Sequence, residues 1–180
     1  MSHVEPESQP AGQPIAMSLE LILIPVTDVE RAKRFYGSLG WRLDIDFAKD
    51  AGYRLIQFTP PGSAGSIMFG DGLTTAEPGS LQGLHLIVSD LELARADLLR
   101  RGVKVGQPFH DLGGVFHHAD EALLKDGPNP ERKSYASYAA FKDPDGNSWV
   151  MQEVTARLTG PPAPGDTRFT PELTAAARGA

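Results

Sequence analysis

Apolar and polar positions follow one order of periods twice along this chain. Leu19 to Val26 is an apolar, β-prone run. Asp28 then stands as a helix N-cap, and a 3.6-residue pattern from Val29 to Leu39 turns Val29, Ala32, Phe35, Tyr36 and Leu39 inward. Gly40 stops the helix, because glycine takes the left-handed backbone of a helix end at little cost. Period two takes over in Trp41 to Phe47. It predicts a strand with Trp41, Leu43, Ile45 and Phe47 on one face and Asp44 and Asp46 on an opposite, solvated face. Tyr53 to Phe58 and Ser66 to Phe69 are two further strands, separated by a turn at Thr59-Pro60-Pro61-Gly62.

The same order then returns. Gly83 to Val88 predicts a strand, Asp90 a cap, Leu91 to Arg101 a helix and Gly102 its stop, followed by strands at Val103 to Val105, Ser134 to Phe141 and Ser148 to Val154. Val88, Asp90 and Gly102 each lie 62 residues after Val26, Asp28 and Gly40, which argues for a duplicated β-α-β-β-β unit. The last two strands form a hairpin whose turn is Asp143-Pro144-Asp145-Gly146, where proline presets φ and glycine accepts a positive one. In the final strand Ser148, Val150 and Gln152 share one face, and Trp149, Met151 and Glu153 the other. Phe141 lies 83 residues after its counterpart Phe58, so the second unit carries about 21 extra residues. They map to the Gly-, Pro- and His-containing stretch 107–133, either a lid over a pocket or a surface excursion.

Composition bounds the remainder. Residues 1–17, rich in Pro, Ser, Glu and Gln, predict a disordered leader. The organisation that follows is a first unit over 18–80, a second over 81–156 and a Pro/Gly-rich arm over 157–180, with a short helix starting near Thr170-Pro171-Glu172. The net charge of −6 and scattered Lys and Arg argue against a nucleic-acid partner. No apolar run reaches membrane-spanning length and there is no signal-like start, so the cytoplasm is the expected compartment. Without cysteine there is no disulfide, thiolate ligand or cysteine nucleophile.

Val26-Thr27-Asp28 with Ala32, Phe35-Tyr36 and Leu39-Gly40, the echo Val88-Ser89-Asp90 with Arg101-Gly102, and the late Asp143-Pro144-Asp145-Gly146 resemble the glyoxalase / bleomycin-resistance / extradiol-dioxygenase superfamily, the vicinal oxygen chelate fold. The resemblance spans about 19–155. It implies an α+β fold of two tandem βαβββ modules whose mixed sheets form a half-barrel around a concave cavity. It also implies a homodimer by analogy. It does not specify a reaction, since the fold hosts metal-dependent lyases, isomerases and dioxygenases as well as metal-free binding proteins.

In metal-using relatives the ligands occupy four slots, which fall here at Leu21, Met68, Gly83 and Val150. None of these side chains suits a hard or borderline divalent ion, so no metal or other cofactor is expected. The alternative is a displaced divalent-metal site made by His85, Gln152 and one of His110, His117 or His118, in a lyase or dioxygenase.

Strand parity puts His85 on the cavity face with Gly83, and Gln152 with Val150. Imidazole titrates near neutrality and can pass protons, and a glutamine amide can polarise a carbonyl. Tyr135 and Tyr138 lie on opposite faces of their strand, so one of them is inward, as a second acid or an oxygen-binding donor. We count His85, Gln152 and Tyr138 as catalytic candidates, and Trp41, Gly83, Val150, His117 and Tyr135 as substrate-binding ones. Trp41 and Phe47 either line the cavity or pack under the helix. His85 has an equally ordinary reading as a hydrogen-bonded core residue, and His117-His118 as a solvated loop pair. The expected function is binding of a small aromatic or carbonyl-bearing ligand without metal, in a binding or resistance protein or in a proton-transfer isomerase, cyclase or lyase. An assembly protein that merely uses the fold is a third class, supported by the Pro-rich arms alone.

Overall fold

The computed structural model describes residues 15–49, 52–115 and 121–179, with only the backbone of Glu121. The expected leader therefore lies mostly outside the described residues, as do His117 and His118. Both long helices, α1 (Val29–Ser38) and α2 (Leu91–Arg100), start as the sequence predicts. The Asp28 and Asp90 carboxylates accept from the backbone N–H of Arg31 at 2.8 Å and of Leu93 at 2.9 Å, satisfying donors that a helix start leaves orphaned.

Strands β1 (Leu21–Leu23), β2 (Arg42–Ala48), β3 (Arg54–Thr59) and β4 (Ser66–Phe69) form one sheet in the order β1-β4-β3-β2, with β1 parallel to β4. A second sheet holds β5 (Leu84–Val88), β6 (Phe109–Asp111), β7 (Leu124–Asp126), β8 (Ser137–Lys142) and β9 (Ser148–Glu153) in the order β5-β9-β8-β6-β7. This is the α+β arrangement of two mixed, unclosed sheets that the resemblance implies. One strand is displaced. Val103 to Val105 contributes only a single bridge, Val105 to Phe141, and the place beside β8 goes to β6. Stretch 107–133, expected as a loop, thus supplies two strands and lengthens the second sheet. A third helix, α3 (Pro171–Ala177), is capped by Thr170 in the C-terminal arm. Among the described residues no helix is long and apolar enough to cross a membrane.

The core lies between the helices and one face of each sheet. Ile24, Ile56, Phe58, Ile67 and Phe69 from the first sheet meet Ala139, Phe141, Trp149 and Met151 from the second, with Tyr36, Leu91 and Leu98 from the helices. Trp41 stands edge-on to Trp149, ring centres 5.4 Å apart at 84°, and lies 5.4 Å from the Tyr36 ring. Each such side chain withdrawn from water contributes roughly 1.5–3 kcal/mol.

Why Trp41 is inside follows from an irregularity in β2. The pairing runs Leu43 to Phe58 and then Ile45 to Gln57, so Asp44 is an extra residue, a β-bulge. Beyond it the strand's faces exchange. Trp41 shares the helix side, while Ile45 and Phe47, opposite Gln57 and Leu55, share the other. The single apolar face expected for Trp41, Leu43, Ile45 and Phe47 is therefore split. Each sheet keeps one face turned away from the helices. On the first sheet it carries Leu23, Ile45 and Phe47, which remain 37%, 42% and 50% exposed; on the second, Ile87 remains 45% exposed.

Candidate functional site

The turn after β8 sets the position of β9. Asp143 is buried, and its Oδ1 accepts from the backbone N–H groups of Asp145, Gly146 and Asn147, each at 2.9 Å. Asn147 in turn donates to the carbonyl of Pro25 at 3.0 Å and accepts from Leu81 N–H at 3.2 Å. Asp145 reaches the start of α1, accepting from Thr27 N–H at 3.1 Å and from Arg31 at 2.8 Å. The turn thereby fastens the second sheet to the first helix and holds β9 in register.

On the open face of the second sheet, His85 is beside Val150, Ile87 beside Gln152, and Gln152 beside Tyr138. His85 and Gln152 are thus diagonal neighbours on one face. His85 is exposed, and its Nδ1 lies 2.8 Å from the carbonyl of Gly83. A carbonyl only accepts, so this bond selects the Nδ1–H tautomer and makes Nε2 the basic nitrogen. Gly83, at φ 70°, donates its N–H to Ser148 Oγ at 2.7 Å.

Gln152 is buried, and its amide nitrogen donates to the Tyr135 carbonyl at 3.0 Å and lies 3.4 Å from the Tyr138 hydroxyl. The amide hydrogens that were expected to polarise a ligand carbonyl are directed at protein oxygens. Tyr138 is the inward tyrosine. It is 1% exposed, stacks on Phe109 with ring centres 5.5 Å apart, and donates its hydroxyl to the Tyr135 carbonyl at 2.6 Å. Burial pushes its phenol up to about 12, while the bond from Gln152 pulls it down. It therefore stays protonated at neutral pH and offers a hydroxyl, not a base.

Tyr135 sits just before β8 in the left-handed region, φ 69°. Its hydroxyl accepts from Leu158 N–H at 3.0 Å and its ring stacks on Phe169, so its side chain anchors the C-terminal arm. Trp41 is placed in the core and borders a cleft of about 220 Å³ with Leu86, Leu98 and Met151. Val150 lies on the open face and is 5% exposed. The structure thus brings His85, Val150, Gln152 and Tyr138 together and separates Trp41 and the Tyr135 side chain from them.

Parity missed two features. Glu153, 3% exposed, is held by Arg132 through bonds of 3.0 Å to Oε1 and 2.7 Å to Oε2. Arg132 also pairs with Glu92 at 2.9 Å, tying the inserted stretch to α2. Their separation of 21 residues gives no local signal of that pair. The second is Asp44, expected in solvent. It lies on the open face of the first sheet, opposite Trp41, with its side chain 16% exposed, where it accepts from the Thr59 hydroxyl, from Arg42 and from the Gln57 side chain.

The four metal-slot positions, Leu21, Met68, Gly83 and Val150, divide between the two sheets and present no oxygen or nitrogen side chain. Among the described residues no three His, Asp or Glu side chains come together as a metal site. The residues at these four positions therefore do not supply the ligands of the metal centre known in the superfamily.

The Glyoxalase/Bleomycin resistance protein/Dioxygenase superfamily model matches residues 18–151. The chain is similar to TnmS3, an antibiotic binding protein from Streptomyces sp. CB03234, with 29% identity and a TM-score of 0.58 over 79% of this chain and 99% of that one. A glyoxalase/bleomycin resistance protein from the same organism shares 31% identity, with a TM-score of 0.55 over 76% of this chain and 100% of the other. A superfamily member from Sphaerobacter thermophilus DSM 20745 shares 25% identity and a TM-score of 0.56 over 77% of this chain and 98% of that one. No curated protein matches. A family match over most of the length, with Asp28, Asp90 and the Asp143 turn where the duplicated units need them, settles the kinship: the chain belongs to the Glyoxalase/Bleomycin resistance protein/Dioxygenase superfamily.

Proposed function

We propose that this protein is a cytoplasmic, homodimeric binding protein for a small organic ligand, aromatic or carbonyl-bearing, taken up on the open sheet faces without a metal ion. The observation that carries the reading is the exposure of those faces. Leu23, Ile45, Phe47 and Ile87 stand 37–50% exposed among a few polar groups, His85, Gln57 and Asp44. Apolar surface of this kind is stabilised by covering it, and an apolar wall with few convergent polar groups is what organic ligands require. A second copy would complete the cover from the other side. The similarity to a protein described as antibiotic binding supports the ligand class.

A second reading, proton transfer by His85 in an isomerase, cyclase or lyase, is favoured by its exposed imidazole with a defined tautomer.

Methyl NMR separates these readings. Met68 is on the first sheet's open face and Met151 is in the core. Titration with a panel of aromatic antibiotics should move the Met68 methyl and leave that of Met151 in place, and the ligand should be recovered with unchanged mass. Conversion of the ligand, lost in His85→Ala, would establish proton-transfer catalysis. A panel member that moves Met151 alone would place binding in the core cleft and refute the open-face reading.

A further inference from the structure

We infer that Asp44 is the specificity-determining residue of the binding face, selecting ligands that present a hydrogen-bond donor such as a phenolic hydroxyl. This rests on the proposed ligand-binding function and names the chemistry that it prefers. Three observations carry it. Asp44, opposite Trp41 and Leu43 in the strand, sets a carboxylate on a face to which the bulge adds Ile45 and Phe47 and which Leu23, Leu55, Gln57 and Met68 complete. The carboxylate is fixed in place, because Thr59 donates to it and Thr59 is itself 2.7 Å from Ser66 Oγ, both residues being buried. Its other contacts are Gln57, on the same face, and Arg42, which is 74% exposed and can swing into solvent.

An ionised carboxylate only accepts hydrogen bonds, and its two oxygens offer about four acceptor sites, more than Thr59, Arg42 and Gln57 occupy. The Thr59 hydroxyl, then Arg42, hold the Asp44 carboxyl below the usual carboxylate range, so the acceptor is charged at neutral pH. Bonds to a charged acceptor are the strong ones, and a ligand that covers Asp44 without donating to it leaves that acceptor desolvated and short of a partner. The face therefore discriminates between a donor and an isosteric group without a proton.

The test uses the full chain and three probes: 2-naphthol, 2-methoxynaphthalene and 2-naphthoate. Wild type should bind 2-naphthol about tenfold more tightly than 2-methoxynaphthalene, and 2-naphthoate least, a tenfold ratio being about 1.4 kcal/mol. Asp44→Asn should bring 2-naphthol down to the affinity of 2-methoxynaphthalene, which itself stays within about twofold. Asp44→Ser, which retains a hydroxyl for Thr59, should do the same, and thermal melts confirm that both variants fold. Equal binding of the naphthol and its methyl ether by wild type, or equal weakening of both by the substitutions, overturns the role of Asp44 while leaving the ligand-binding function intact. If no probe binds and the Met68 methyl stays in place, that function falls as well.

Discussion

The Tyr36 hydroxyl donates to Oδ2 of Asp143 at 2.8 Å, across 107 residues of chain and inside the core. One partner comes from the first helix and the other from the last hairpin turn, so this bond joins the duplicated halves in the core, beside that from Asn147 to the Pro25 carbonyl. Asp143 has no water to fall back on. Its other acceptor sites are filled by three backbone N–H groups and Asn147, the latter at 2.8 Å. Burial and the Asp143 carboxylate both push the Tyr36 phenol strongly upward, so the hydroxyl remains a donor.

Removing that donor should therefore cost more than its share of surface. Tyr36→Phe keeps the ring and its contacts with Trp41 and Phe69 but leaves Asp143 one bond short and deprives Trp149 Nε1 of its acceptor at 3.3 Å. The expected loss is about 2 kcal/mol in urea unfolding with an unchanged m-value. Asp143→Ala, which strips the turn of its organiser, should cost more than Tyr36→Phe. A Tyr36→Phe protein within about 0.5 kcal/mol of wild type would mean that the bond merely accompanies the fold.

Tyr138 gives a pH dependence with a definite sign. Its phenol is raised in the folded protein to about 12 from an ordinary 10.0, chiefly by burial. A group whose folded pKa is raised favours the fold in its protonated form. Its contribution is complete below the unfolded value and is lost as pH climbs through the folded one. Stability should thus hold to about pH 10 and decline between about 10 and 12, and the decline should shrink in Tyr138→Phe. Difference absorbance of tyrosinate should show one fewer group titrating near pH 12 in that variant. If the alkaline limb of the stability curve is the same in both proteins, Tyr138 is not its source.

Much of this fold was legible because its signals are local. Asp28 and Asp90 cap helices through the three-residue reach of their own side chains, and Asp143 to Gly146 shapes its turn with its own backbone. Strand parity also placed His85, Val150 and Gln152 on one face, as β5 and β9 pair. What failed depended on partners distant in sequence. Tyr135 leaves the strand through a left-handed backbone, so the parity argument that set it opposite Tyr138 had no purchase. Arg132 finds Glu153 only when the inserted stretch folds back. Trp41 was ambiguous because a bulge carries no residue-type signature of its own, yet it reverses every assignment beyond it.

That reversal can be tested directly. With Asp44 deleted, β2 alternates strictly from Trp41 to Phe47, and alternation of the shortened strand gives the faces already seen: Trp41 and Leu43 on the helix side, Ile45 and Phe47 on the open one, opposite the same β3 partners. The deletion should therefore leave Trp41, 9% exposed in the core, in place and keep Asp46 paired with Lys33 and Arg54 on the helix side. Its cost should be that of the lost Asp44 contacts with Thr59 and Arg42, about 1–2 kcal/mol, and Asp44→Gly, which keeps the extra residue but loses the same contacts, should lose about as much. Calorimetry on the two variants gives the answer. A deletion variant that falls roughly 3–5 kcal/mol below Asp44→Gly, the cost of extracting a tryptophan by analogy with its truncation, would show that Trp41 has been drawn out and that alternation does not set the faces of this strand.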